Sequence, residues 1–252
     1  MNFLQVTNLS KTFIHEEEKL SILNDLSFSI TQGEFASFIG PSGCGKSTLF
    51  SLLAGLETPT RGTILLNNTY NLSGKSGYML QESLLFPWRT VLENIMLSAT
   101  VKKMPSAIAR NKAILLLKEF NLSKFASYYP SQLSGGMQQR IAFLRTIFFN
   151  NSFLLLDEPF GALDAITRLS SQLWLQSLLK KFNPTVLLIT HDIREALLLS
   201  DTIYVLSQRP AKIVKKIHVT LPRPRKPEHL SFPHIITIEQ TIRSLLLQEN
   251  TV

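Results

Sequence analysis

The stretch Gly40-Pro41-Ser42-Gly43-Cys44-Gly45-Lys46-Ser47, followed by Thr48, restricts the fold of this 252-residue chain more than any other. It matches G-x-x-x-x-G-K-[ST]. Its glycines let the backbone curl until successive N–H groups converge, where they can cradle phosphate oxygens. Such a loop belongs between a buried strand and a helix start, because the helix adds its positive N-terminal dipole. The flanks supply both. Phe35 to Ile39 reads as a buried strand running into Gly40. Beyond Lys46, Leu49, Leu52, Leu53 and Leu56 recur at helical spacing. In that setting Lys46 is expected to reach the β- and γ-phosphates of a nucleotide and Ser47 to ligate Mg²⁺. A glycine-rich turn with no ligand is the bland alternative, and it would not require this strand and helix.

Two further runs point the same way. Phe153-Leu154-Leu155-Leu156 is an apolar strand ending in Asp157 and Glu158. Carboxylates at the C-terminal end of such a strand lie where α/β folds bind ligands. Asp157 is suited to hold Mg²⁺ and Glu158 to act as general base on a water. Taken alone, the pair could simply mark a strand leaving the core. Leu133-Ser134-Gly135-Gly136-Met137-Gln138-Gln139-Arg140 places a small, polar helix start before a helical stretch, a second place for an anion. In isolation an ordinary N-capped helix explains it as well.

The rest of the chain sets the architecture. Phe3 to Val6 and Leu26 to Ile30 alternate like half-buried strands, with the acidic patch Glu16-Glu17-Glu18 as a solvated loop tip between them. From about Glu82 to Thr146 the pattern is mostly helical. Val91 to Met96 and Ile108 to Phe120 are amphipathic, and Leu122, Phe125 and Tyr129 continue the spacing. Strand-like runs return at Val186 to Thr190 and Ile203 to Leu206, with a helix over Arg168 to Lys181. Strand–helix alternation on both sides of a helical insertion predicts a mostly parallel sheet flanked by helices. Prolines crowd the tail, and Ile235 to Leu247 reads as a last amphipathic helix, expected to pack on its own domain.

Together these segments resemble the nucleotide-binding subunit of an ATP-binding cassette transporter over roughly residues 2 to 225. Leu133 to Gln138 resembles that family's signature sequence, which few other P-loop proteins carry. The resemblance implies a P-loop NTPase core: an α/β fold with a mostly parallel sheet, an antiparallel β subdomain and a helical subdomain at about 82–146. It implies a nucleotide-binding domain over 1–225 and a C-terminal extension, 226–252, with a helix. By the same resemblance Phe13 stacks on adenine, and Gln81 links the core to the helical subdomain and reaches the metal. Gly161-Ala162-Leu163-Asp164 forms the D-loop, and His191 is the switch histidine at the γ-phosphate, completing a catalytic set with Glu158 and Lys46. Ser134, Gly135, Gly136, Met137 and Gln138 then close over ATP held by a second copy of the chain. ATP and Mg²⁺ are the implied cofactors. The implied partners are that second copy, integral membrane permease subunits and, indirectly, a solute-binding protein.

Softer features suggest a subgroup. Met137 in place of the usual glutamine, Leu85 to Val91 with Phe86-Pro87-Trp88-Arg89, Pro159 to Ala165, and Leu221-Pro222-Arg223-Pro224-Arg225 are similar to bacterial importers of nitrate, sulfonate, taurine and pyrimidine thiamine precursors. The short segment Asn67 to Gly77 and Phe148-Phe149-Asn150-Asn151 depart from that group and blur the solute. The alternatives are a non-transporting cassette ATPase acting on nucleic acid or ribosomes, an exporter subunit, and a regulatory module that binds ATP without turning it over. The first generally carries two cassettes or large insertions, the Phe-Pro-Trp-Arg segment and Pro-Arg tail speak against the second, and Glu158 with His191 against the third. A net charge of +8 favours phosphate-bearing partners, but the lysines are spread in pairs, so no nucleic acid is expected. No apolar run nears the ~18 residues that span a bilayer, and the N-terminus has no signal-peptide pattern. The expected location is the cytoplasmic face of the membrane. Cys44, the single cysteine, excludes an intramolecular disulfide and a Cys-rich metal site.

Overall fold

The computed structural model describes residues 2–16, 18–149 and 152–249. Glu17 of the acidic patch and the pair Asn150-Asn151 lie outside the described residues. Two sheets organise the chain. β1 (Asn2–His15), β2 (Glu18–Thr31) and β4 (Arg61–Leu66) form an antiparallel sheet in the order β2-β1-β4. The second sheet has the order β5-β6-β7-β3-β8-β9, built from β3 (Phe35–Ile39), β5 (Gly77–Met79), β6 (Phe153–Asp157), β7 (Thr185–Ile189), β8 (Thr202–Leu206) and β9 (Ile213–His218). All its pairings are parallel except β8–β9. The mostly parallel sheet, the antiparallel subdomain and the helical layer thus follow the expected fold.

The central strands read as unbroken apolar runs because both faces are covered. Ala36, Phe38, Leu155, Leu187 and Ile189 pack on one face with α1 (Lys46–Leu53) and the antiparallel sheet. Phe35, Leu154, Leu156, Val186 and Leu188 pack on the other with α2 (Val91–Val101), α4 (Gly135–Phe149) and α5 (Ala165–Phe182). Each leucine buried this way contributes about 1.5–3 kcal/mol relative to exposure. α3 (Ser106–Glu119) leans on α2, and α6 (Ile193–Leu199) covers the β3–β8 side. The C-terminal helix α7 (Pro233–Glu249) packs on its own domain, with Ile235 and Ile242 fully buried beside Ile39, Leu197, Ile203 and Val205.

The elements differ from the sequence reading in identifiable places. β1 and β2 are far longer than Phe3–Val6 and Leu26–Ile30 because irregular register around Val6 to Lys11 breaks the alternation. Asn8 and Asp25 take positive φ there, and Asn8 Nδ2 donates to Asp25 Oδ1 at 2.6 Å. Residues 82–90 are not helical. Arg145 on α4 donates to the carbonyls of Ser83 and Leu84, and the buried Asn94 amide bonds Phe86, Arg89 and Thr90. The helical spacing past Phe120 does not continue the helix either. Asn121 sits in the left-handed region, φ 57°, and short 3₁₀ turns follow at Ser123–Phe125 and Pro130–Gln132. Leu122 is buried at the start of the first of these turns, its carbonyl accepting from Phe125 N–H at 3.0 Å, so burial in 3₁₀ turns and not a continued α-helix produces the pattern.

Candidate functional site

The strand order explains where the chemistry sits. β5, β6, β7 and β3 are neighbours and parallel, so their C-terminal ends share one edge. β3 delivers Gly40, β6 delivers Asp157 and Glu158, β7 delivers Thr190 and His191, and Gln81 follows β5 at the surface. Residues separated by more than a hundred positions meet because a parallel sheet aligns strand ends.

The loop after β3 leads into α1 as expected. Gly45 caps the helix at φ 116°, in the left-handed region, and a Cβ there would lie 2.6 Å from Ile22 Cγ2, so glycine is required twice over. Lys46 is buried, and its ammonium donates to the carbonyls of Gly40 at 2.9 Å and Pro41 at 2.8 Å. The cation is thereby held over the curl of the loop. Cys44 is 1% exposed, and burial pushes its thiol above the ordinary range. Ser42 and Ser47 are exposed, with Pro41 and Thr48 half-buried beside them.

Asp157 closes β6 at 6% exposure. Burial raises its carboxyl pKa, hydrogen bonding from Ser47 lowers it, and Glu158 raises it again. Tyr78 on β5 donates to Asp157 Oδ2 at 3.4 Å, and its own phenol is pushed up by burial and by that carboxylate. Ser47 hydroxyl, Asp157 carboxylate and the Gln81 amide are all hard oxygen donors. One carboxylate with neutral oxygens fits Mg²⁺, which keeps waters and shares substrate phosphates.

Glu158 takes φ 45°, an uncommon conformation for a side-chain-bearing residue, fixed by its N–H donating to Ile189 O at 2.9 Å. That turn aims the carboxylate at the end of β7, where His191 Nδ1 lies 3.0 Å from Glu158 Oε2. His191 stands at the start of the turn that Asp192 builds by accepting from the N–H groups of Arg194 and Glu195. Arg168 spans the neighbouring loops, donating to Leu163 O at 2.9 Å and pairing with Asp192 at 3.5 Å.

The remaining predicted residues lie elsewhere. Ser134 starts α4, its hydroxyl accepting from Met137 N–H at 3.4 Å, and Gln138 turns its amide onto the carbonyls of Pro130 and Leu133. Gly135 is exposed, while Met137 packs on the helical core. A Cβ at Gly136 would lie 2.4 Å from Thr167 Cγ2, which sets how closely α4 approaches α5. Asp164 caps α5 by accepting from Ile166 and Thr167 N–H, and hydrogen bonding from the Thr167 hydroxyl first, then from these N–H groups, lowers its pKa. α4 packs on α2, β5 and α5, whereas α1 packs on β6, so the segment Ser134–Gln138 belongs to the helical layer and not to the loop at Gly40–Thr48. Phe13 lies on β1, 38% exposed, with Lys11 Nζ 4.6 Å from its ring centroid. Sequence reasoning missed Tyr78, Glu195 and Arg209, whose guanidinium bonds Gly43 O. None of them stands in a local pattern.

The profile of the ABC transporter family matches residues 23–161. The aliphatic sulfonates import ATP-binding protein SsuB of Bacillus cereus is 38% identical over 248 residues, covering 98% of this chain and 95% of that protein. The formylaminopyrimidine import ATP-binding protein ThiZ of Halalkalibacterium halodurans is 39% identical over 231 residues, covering 91% of each. Among solved structures, the dimeric post-hydrolysis state of the ATP-binding cassette MJ0796 bound to ADP and Pi superposes with a TM-score of 0.74. It is 30% identical and covers 87% of this chain and 100% of that one.

Proposed function

The chain belongs to the ABC transporter family as an ATP-binding, ATP-hydrolysing subunit, and from that premise we propose that it energises a bacterial importer of a small solute. The observation that carries the catalytic part is the 3.0 Å approach of Glu158 Oε2 to His191 Nδ1 at the shared strand edge, beside the loop that holds Lys46. The triphosphate lies on Gly40–Thr48 with Lys46 at its β- and γ-phosphates, and Phe13 stacks on the adenine. Glu158 takes the proton of the attacking water. His191, oriented by Glu158, holds the γ-phosphate. Mg²⁺ would be held by Ser47 and Asp157 with Gln81 nearby, and it supplies charge neutralisation on the phosphates.

The site is half complete in one chain. Ser134, Gly135 and Gly136, with Met137 and Gln138 behind them, cover the ATP of a second copy, as a dimeric relative with ADP and Pi supports. Asp164 lies at the same boundary. Loss of the γ-phosphate removes contacts made only in the closed pair and lets it open. No helix among the described residues is long and apolar enough to cross a membrane. Separate permease subunits then form the channel, with this chain at the cytoplasmic face. Their cytoplasmic helix docks in the groove of about 380 Å³ between Leu56, Tyr78, Leu97, Val101 and Phe149. Leu56 and Val101 expose 70% and 74% of their surface there, and the exposed Trp88 stacks on Phe86 in the loop that Asn94 holds. The names of the two relatives, which import aliphatic sulfonates and formylaminopyrimidine, support import. The solute proposed is of the nitrate, sulfonate, taurine or thiamine-precursor pyrimidine kind, delivered by a solute-binding protein.

The test is Glu158→Gln. It should bind ATP as the parent does, lose turnover by about a hundredfold or more, and run as a dimer with ATP in gel filtration. Turnover near the parent's would remove Glu158 from its role. Tagged chain extracted from membranes should bring a membrane permease with it; recovery with nucleic acid alone would favour the non-transport alternative.

A further inference from the structure

We propose that Arg209 is a positioning residue for the phosphate loop and that α7 holds it in place through Glu249. The inference rests on the ATP-site reading above. Arg209 lies in the connection between β8 and β9, which closes on itself through Ser207 N–H donating to Lys212 O at 3.0 Å. From there its guanidinium reaches back to the crown of the phosphate loop. Nη2 donates to Gly43 O at 2.6 Å and Nε to the same oxygen at 3.2 Å. Hydrogen bonds from a charged donor are roughly twice as strong as neutral ones.

The Gly43–Cys44 peptide is one rigid plane. Arg209 pins its oxygen, while its N–H faces Pro41 O at 3.3 Å, so the plane is set from both sides. Gly43 itself takes φ +72°, a conformation in which glycine alone is unstrained and which nothing in its own side chain can hold. A carbonyl drawn outward by a cation keeps its lone pairs away from an incoming phosphate. A loosened one can swing inward and repel it. The anchor therefore favours the phosphate-accepting form of the loop.

The connection carrying Arg209 is tied at two other points. Ala211 N–H donates to Ile22 O at 2.8 Å and Ala211 O accepts from Asn24 N–H at 3.0 Å, which joins it to β2 of the antiparallel sheet. Gln208 N–H, next to Arg209, donates to Glu249 Oε2 at 3.0 Å. Glu249 ends α7, and α7 is fixed by the buried Ile235 and Ile242. A continuous path runs from the C-terminal helix through Gln208 and Arg209 to the loop that takes the phosphates. The C-terminal helix acquires a role beyond covering the sheet: it tunes nucleotide affinity.

The experiment compares full-length Arg209→Met, Arg209→Lys, Glu249→Ala and Lys46→Ala with the parent. ATP affinity is read with a fluorescent ATP analogue, KM and kcat by phosphate release, and folding by Tm. Arg209→Met should weaken ATP binding about tenfold, raise KM more than it lowers kcat, and leave Tm nearly unchanged. Arg209→Lys should recover part of the loss, and Glu249→Ala should weaken binding about two- to threefold. The proposal falls if Arg209→Met binds ATP as the parent does, or if its kcat and Tm fall together at constant KM, which would mark a purely structural arginine. Lys46→Ala separates the two readings, since undiminished ATP binding in that variant would sink the ATP site itself.

Discussion

Glu195, in the first turn of α6 just after His191 and Asp192, ties this fold's stability to pH. It is 5% exposed. Thr190 donates to its Oε2 at 2.9 Å, while Oε1 has no hydrogen-bond partner among the described residues. Burial raises its pKa most; the Thr190 hydrogen bond opposes, Asp192 adds to the rise, Arg168 from α5 opposes, and Glu158 from the end of β6 adds again. The carboxyl is pushed from 4.5 to about 8. The folded chain therefore keeps a proton that the unfolded chain releases. Its stabilising contribution is fully present below pH 4.5 and is lost as pH rises toward about 8. At about 1.36 kcal/mol per decade the whole gap sets a ceiling of about 5 kcal/mol, and relaxation of the site brings the measurable part to roughly 2–3 kcal/mol. Glu195→Gln keeps the shape and stays neutral at every pH. Urea unfolding of parent and variant from pH 5.5 to 8.5 isolates this group, because all other titrations cancel in the difference. The parent should lose about 1–2 kcal/mol relative to the variant across that range, since the first unit of the gap, from pH 4.5 to 5.5, lies below it. Two curves that stay parallel would refute the reasoning.

Three shorter predictions rest on the same geometry. Gly136→Ala, which sets a methyl against Thr167, should cut ATPase turnover at least about tenfold while ATP still binds the single chain; normal turnover would show that α4 can give way. Arg225 is fully buried and donates to the carbonyls of Leu197, Ser200 and Leu221, so Arg225→Met should cost about 3 kcal/mol or more in urea unfolding, and a loss under about 1 kcal/mol would contradict that count. Cys44, buried in the phosphate loop with its thiol held protonated, should react with iodoacetamide far more slowly than a free thiol, and more slowly still with ATP present. Equal rates with and without ATP, read by mass spectrometry, would displace Cys44 from the site.

What could be read in advance was whatever is written locally. Gly40 to Thr48 carries its strand and helix beside it, and β6 and β7 announce themselves because buried central strands are apolar on both faces. β4, β5, β9 and α6 were invisible to the same reasoning. β5 has three residues, and β9 shows solvent its lysines Lys215 and Lys216 as an edge strand does. Leu122 and Phe125 mimicked helical spacing because they face the core from 3₁₀ turns. Glu195 and Arg209 gave no signal because what defines them is an environment. Arg209 finds Gly43 across 166 positions, and Glu195 is enclosed by side chains from three other elements. Phe13, placed by family resemblance, stands on the open part of β1.

The alignment of β5, β6, β7 and β3 also decides which changes of chain length the protein tolerates. Asp157 pairs with Ile189, and Ile189 with Phe38, so the strands act as rulers of matched length. Removing one residue from any of them would draw its terminal group back by about 3.3 Å and turn every following side chain to the opposite face. Lys46, the carboxylates of Asp157 and Glu158, and His191 would then miss one another although each was still present. Segments that enter the sheet from the opposite end bear no such demand. The connection Asn67 to Ser76, which leads into β5, is freer to change length around its exposed residues on either side of the buried Leu72, and insertions and deletions should accumulate there while the four rulers keep their length.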